Sequence, residues 1–191
     1  MANRISARML RLFRARFTDD YCDSESLGRL CALDERILER VANVNEAILL
    51  ERHNANKQII KLVKKRPEGD GQVEGFYILY PINDECERLI EDGSILTSRQ
   101  ITTRHICEES GQASSLYLSM VYGQSKQAQA YLIYLLYRDM REIIRANRRV
   151  RAIYVRPVTA SGFQVMERHK FHRFKEGSGI YRRIVIPEDV P

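Results

Sequence analysis

The spacing of apolar positions changes several times along the chain, and each change marks a new element. Leu27, Leu30, Cys31 and Leu33 make a short helical stripe. Ile37, Leu38, Val41, Val44, Ile48 and Leu49 make a second, at mixed spacings of three and four. The pattern then shifts to a β-branched run at Ile59, Ile60, Leu62 and Val63. Pro67-Glu68-Gly69-Asp70-Gly71 interrupts it, and Asp-Gly is a strong reversal signal. Residues 75–82 (GFYILYPI) read as the second strand of a hairpin. Pro81 is expected to mark the strand's end, because proline cannot donate to a ladder. Residues 84–92 read as a short helix stopped by Gly93. The stretch 94–111 has no clear period and is expected to hold a short strand or helix near 101–106.

Residues 115–122 (SLYLSMVY) alternate, with Leu116, Leu118, Met120 and Tyr122 on one side and Tyr117, Ser119 and Val121 on the other. This predicts a buried strand. After a polar break at 123–127, residues 128–147 read as a helix. Tyr131, Leu132, Leu135, Leu136, Met140, Ile143 and Ile144 form its apolar stripe, with Arg138, Arg141 and Arg145 off it. A strand at 151–158, a short helix at 161–169 and a strand pair at 171–174 and 180–186 complete the chain. Upstream, residues 10–17 are expected to form the first strand, after a basic extension over 1–9. The alternative is a helix: Ile5, Met9, Leu12 and Phe13 lie at helical spacing among five arginines, as in a transit peptide or membrane-surface helix. Strands interleaved with helices predict an α/β chain with a mixed sheet covered on both faces.

Length and composition narrow this little. A chain of 191 residues fits one domain, here 10–191, and 44% hydrophobic with 29% charged residues is enough to build a core. The net charge of +6 favours anionic partners without choosing among nucleic acid, a membrane surface and a phosphate-rich cofactor. Cys22, Cys31, Cys86 and Cys107 form no C-x-x-C pair, which argues against zinc and fits reduced thiols in the cytoplasm. No apolar run is long enough for a membrane span.

Three stretches carry a resemblance: GFYILYPI; SLYLSMVY with the following Gly123-Gln124-Ser125-Lys126-Gln127-Ala128-Gln129-Ala130; and RAIYVRPV with Ser161 to Phe171. In order, length and pattern they resemble the GNAT superfamily of acyl-CoA-dependent N-acyltransferases, from about Leu10 to Ile186. The resemblance implies a mixed, mostly antiparallel central sheet with helices on both faces. It also implies acetyl-CoA, or another acyl-CoA, as co-substrate. Met120, Val121 and Tyr122 would hold the pantetheine arm by backbone hydrogen bonds. Gln124, Ser125, Lys126, Gln127, Ala128, Gln129 and Ala130 would hold the pyrophosphate. The physics suits this, because the first amides of a helix lack internal partners and carry partial positive charge. The family's loop has the form Q/R-x-x-G-x-G/A. Gln124 fits its first position, while Gln127 and Gln129 replace the later small residues. Lys126 could add a charge-assisted contact.

On the catalytic side the chain departs further from the family. The helix tyrosine that serves many members as general acid corresponds to Met166, which has no proton to give. Lys170-Phe171 replaces the usual Gly-Phe. Tyr154 and Tyr181 are candidate substitutes. Glu74, Glu108 and Glu109 are the acids nearest by strand position, each also readable as a solvated surface residue. Proximity of amine and thioester can itself supply rate. The expected partners are an acyl-CoA and an amine acceptor, with the chain a monomer or homodimer; nucleic acid and membrane are not favoured. The alternative is an inactive GNAT-like binding or regulatory domain. His169 and His172 read as a basic surface strand rather than a metal site. Arg138, Arg141, Arg145, Arg148, Arg149 and Arg151 form a basic track without a nucleic-acid motif. Tyr117, Tyr122, Tyr131, Tyr134 and Tyr137 are candidates for a pocket lining or for core.

Overall fold

The computed structural model describes residues 6–33, 46–66 and 72–186. Residues 10–17, expected as a strand, are mostly helical: α1 spans Ala7–Arg16, and β1 (Phe17–Tyr21) begins only at Phe17. The cause is local. Ala, Arg, Met and Leu are good helix formers, and Ser6 Oγ accepts the Met9 amide at 3.2 Å as an N-cap. Phe13 is buried, its ring 5.4 Å from that of Tyr131, while Met9 and Leu12 stay exposed. The helix is thus anchored to the core by Phe13, with the half-buried Leu10 packed beside it.

Helices α2 (Ser24–Leu33) and α3 (Glu46–Ala55) occupy the first helical zone, with Leu27, Leu30 and Leu49 buried. Ile37, Leu38, Val41 and Val44, and the Asp-Gly reversal, lie outside the described residues. Strands β2 (Ile60–Lys65) and β3 (Val73–Ile82) pair antiparallel. β3 ends at Ile82, one residue past Pro81 and at the predicted bound; Pro81 itself sits opposite Leu116, and its carbonyl accepts the Cys107 amide at 2.9 Å. Proline removes one donor, but its acceptor keeps working. Helix α4 (Asp84–Asp92) stops at Gly93, as its pattern predicts. Asn83 caps the Cys86 amide at 3.0 Å, and Asp84, Glu85 and Glu87 in the first turn suit the positive end of the helix dipole. The stretch 94–111 holds three 3-10 turns (Ser98–Gln100, Thr103–His105, Ser110–Gln112) and one bridge between Ile82 and Ile106.

The remainder runs β4 (Ser115–Gly123), α5 (Lys126–Ala146), β5 (Ala152–Val155), α6 (Ala160–Arg168), β6 (His172–Arg173) and β7 (Tyr181–Ile184). The last three strands are shorter than their patterns predict. The sheet order is β1-β2-β3-β4-β5-β7-β6, antiparallel throughout except for β4 and β5. One face buries Leu30, Leu49, Cys86 and Ile90 from α2, α3 and α4. The other buries Phe13 from α1, Leu132 and Leu135 from α5, and Met166 from α6.

The regular alternation expected along β4 is broken. Ile78 faces Met120, but Leu79 faces Leu118, so Ser119 is one extra residue in β4. This bulge flips the second half of the strand. Met120 joins Tyr117 in the core under α2 to α4, while Leu116, Leu118 and Val121 pack towards α5.

Candidate functional site

The feature that organises the site starts from a proline. Strand β5 pairs with β4 in parallel from Ser115–Ala152 to Leu118–Val155 and then stops. Two residues on, Pro157 has no N–H to continue a ladder and disfavours helical geometry at Arg156. β4 continues to Gly123 with β3 on one side only. From Ser119 onward its other edge is unpaired by β5, and the bulge lies where that pairing ends.

β4 leads straight into α5. Ser125 caps the helix, its Oγ accepting the Ala128 amide at 3.1 Å, and its carbonyl accepts the Gln129 amide at 2.9 Å. The amides of Lys126 and Gln127 then have no intrahelical partner, as expected for the first helical positions. Gln124 is tied to β3 by two bonds: its amide to the Glu74 carbonyl at 2.8 Å and its side chain to the Val73 carbonyl at 3.0 Å. Gln129 folds back to donate to the Gly123 carbonyl at 2.9 Å. A Cβ at Gly123 would come within 2.9 Å of the Gln129 amide nitrogen, so only glycine allows this close seating of helix on strand. Arg16, at the end of α1, donates to Gln127 Oε1 at 2.5 Å. Two open amides, the exposed Lys126 and an arginine at one helix start suit a phosphate.

The sequence matches no family profile and no curated protein. Solved structures do match. An acetyltransferase of the GNAT family from Staphylococcus aureus Mu50 aligns with a TM-score of 0.55 at 10% identity, over 89% of this chain and 99% of its own. A GNAT-family acetyltransferase from Brucella melitensis, solved with acetyl-CoA, aligns with a TM-score of 0.51 at 14% identity, over 91% and 90%. One from Listeria monocytogenes 4b F2365 aligns at 0.51 and 11%, over 88% and 95%. The chain has the GNAT fold.

Within the GNAT fold the candidate catalytic side chains are scattered. Glu74 is half-buried at the Gln124 end of β3, while Glu108 is exposed beyond the Ser115 end of β4. The ladder between them, from Gly75 to Ile82, is roughly 23 Å long at about 3.3 Å per residue. Tyr154 is buried on the α4 side, its hydroxyl 3.3 Å from Glu91 Oε1. Burial, with Glu87 and Glu91 nearby, pushes that hydroxyl above its usual range. It borders an open groove of about 500 Å³ lined by Asp84, Glu87, Glu91, Arg151 and Arg182. Met166 is buried towards α5, and Tyr181 is buried on that same face against Phe163.

The basic track is partly neutralised. Arg138 pairs with Asp19 and Asp139, and Arg149 and Arg151 pair with Asp84. The tyrosines divide between the faces: Tyr117 and Tyr122 pack under α2 to α4, and Tyr131, Tyr134 and Tyr137 pack around α5. His172 is exposed, while the His169 ring lies 4.8 Å from Tyr137. Sequence reasoning passed over Arg16 and Ser119. Pro157 was the visible signal for the gap; no local pattern announces the bulge.

Proposed function

We propose that the chain is an acyl-CoA-dependent N-acyltransferase, with acetyl the expected acyl group and an amine as acceptor. The observation that carries this reading is the parting of β4 from β5 directly ahead of a helix start that suits a phosphate. An acyl-CoA would supply a thioester, whose C–S bond breaks as the amine nitrogen bonds to the acyl carbon. The open edge of Met120, Val121 and Tyr122 would align the pantetheine arm as a strand aligns its neighbour. The amides and side chains from Gln124 to Ala130 would hold the pyrophosphate, with Lys126 and Arg16 supplying charge. No carboxylate is brought to the gap from Glu74 or Glu108, so catalysis here would rest mainly on alignment and on exclusion of water. The amine's proton would pass to the departing sulfur, so that CoA leaves as the thiol.

Calorimetry with acetyl-CoA tests this reading. Micromolar binding, weakened by Lys126→Glu and Gln127→Glu, would support the site. No binding at millimolar acetyl-CoA would remove it. Met166 favours a second reading, a binding domain without turnover, because a buried thioether stands at the position where the family resemblance implies a tyrosine. Tight acetyl-CoA binding with no CoA release across a broad amine panel would favour that reading.

A further inference from the structure

We infer that the groove at the β6–β7 end of the sheet is a docking site for an acidic, extended peptide segment of a partner protein, which adds as a strand along β7. This inference does not depend on the acyltransferase reading.

The sheet is incomplete at this end. β6 pairs with β7 only at His172–Arg182 and Arg173–Tyr181, whereas β7 runs on with β5 to the Ile184–Ala152 pair. The Val185 amide donates to the Arg151 carbonyl, on the β5 side, at 2.9 Å. In an antiparallel ladder neighbouring residues bond to opposite sides. Ile184 therefore directs its own N–H and C=O away from β5, to the side where β6 has already ended. An unpaired strand edge is a template for another chain. The side chains of Ile184 and Ile186 beside it are 51% and 48% exposed.

Charge says what kind of chain fits. The groove has a volume of about 290 Å³ and is lined by Lys170, His172, Arg173, Arg182 and Arg183, with no acid. Arg182 is engaged by Glu91 at 3.3 Å, and Arg183 by the Tyr137 hydroxyl. Lys170, His172 and Arg173 are exposed, and no acid among the described residues pairs with them. Lys170 is further marked by its backbone. Among the described residues it alone combines a side chain with a positive φ, at 60°. That conformation disfavours any residue but glycine, and such strain gathers at functional positions. The chain thus keeps an ammonium group at the groove at a cost in backbone strain.

An acidic peptide answers both features. Its backbone would pair along Ile184, and its carboxylates would meet the cations. Single-stranded nucleic acid would answer the charge, but it also stacks its bases on open aromatic rings. The one phenyl ring in the groove, Phe174, is already covered: the Arg182 guanidinium lies 4.2 Å above it and the Tyr154 ring packs against it at 5.9 Å.

The test uses the full chain and a fluorescein-labelled peptide alternating glutamate and valine, followed by fluorescence polarisation. Micromolar binding is expected, weakening as salt is raised, and none by a counterpart with lysine for glutamate. N-methylation of every second peptide amide should abolish binding in one alternating set and spare it in the other. Lys170→Gly should raise the thermal midpoint, because the strain is relieved, yet weaken binding by about 2- to 5-fold. Arg173→Glu should weaken it by about 10-fold with the thermal midpoint unmoved. No binding at millimolar peptide would overturn the docking site, and affinity unchanged in both variants would overturn its placement in this groove. Equal binding by the two N-methylated sets would overturn strand pairing. Tighter binding of oligothymidylate, weakened by the same variants, would overturn the peptide in favour of nucleic acid. Binding seen only after deletion of residues 187–191, which include Glu188 and Asp189, would overturn the partner in favour of the chain's own end.

Discussion

Tyr77 brings a hydroxyl to the middle of the sheet, 1% exposed, and Asp139 on α5 receives it at 2.5 Å. The second Asp139 oxygen accepts Arg138 Nε at 2.7 Å. Burial, and then the Asp139 charge, drive the tyrosine's pKa upward, so it stays protonated as donor. Tyr77→Phe keeps the ring but leaves one buried carboxylate oxygen without its donor. It should lower stability by about 1–3 kcal/mol, measured by urea unfolding with an unchanged slope. A loss too small to measure would mean that water replaces the phenol. This network is complete within the protein, in contrast to Arg52 Nε and Ser119 Oγ, which are buried without a partner.

Among the elements, the junction of β4 with α5 is the most constrained. Ser125→Ala should cost about 1 kcal/mol through loss of the cap on Ala128, read as a lower thermal midpoint. It should also free that amide, so any fall in acetyl-CoA affinity should be smaller than for Lys126→Glu. Gly123→Ala should be worse. Its Cβ would press on Gln129 N and Cγ, both at 2.9 Å, and the backbone amide cannot swing aside. A loss of about 1–3 kcal/mol is expected, together with weaker acetyl-CoA binding as the helix start shifts. Retained affinity would show that the helix start does not hold the cofactor.

Across the whole molecule, Asp19 ties β1 to its neighbours. It accepts Tyr131 Oη at 2.7 Å and pairs with Arg138 at 3.3 Å and Lys61 at 3.6 Å. Burial raises its pKa, but the Tyr131 bond and the two cations outweigh burial and hold it below the ordinary 3.8. A carboxylate lowered in the folded state stabilises above its unfolded value and loses that contribution as pH falls through the folded value. Asp19→Asn should therefore destabilise at neutral pH and flatten the fall of stability on the acid side of about pH 4, followed by thermal unfolding across pH. A parallel shift of the two curves would show that the charge on Asp19 contributes nothing. No helix among the described residues is long and apolar enough to cross a membrane.

Much of this was legible from the chain alone where the controlling physics is local. The bounds of α4, the body of α5 and the strand nature of β3 and β4 follow from periodicity, caps and breakers within a few residues. The helical start at Ser6 was legible as well; the cap and helix-forming composition outweigh the apolar run that suggested a strand. The GNAT-like order of elements follows from the same signals. What only the tertiary structure decided depends on pairing across strands. Register against β3 makes Ser119 a bulge and turns Met120 to the other face. The early end of β5 opens the gap beside β4. Packing of α1 brings Arg16 to Gln127, and the distribution of acids in three dimensions pairs Arg151 with Asp84 and Glu87. A side chain's neighbours across a sheet are set by register and long-range distance, and neither is written in any local run of residues.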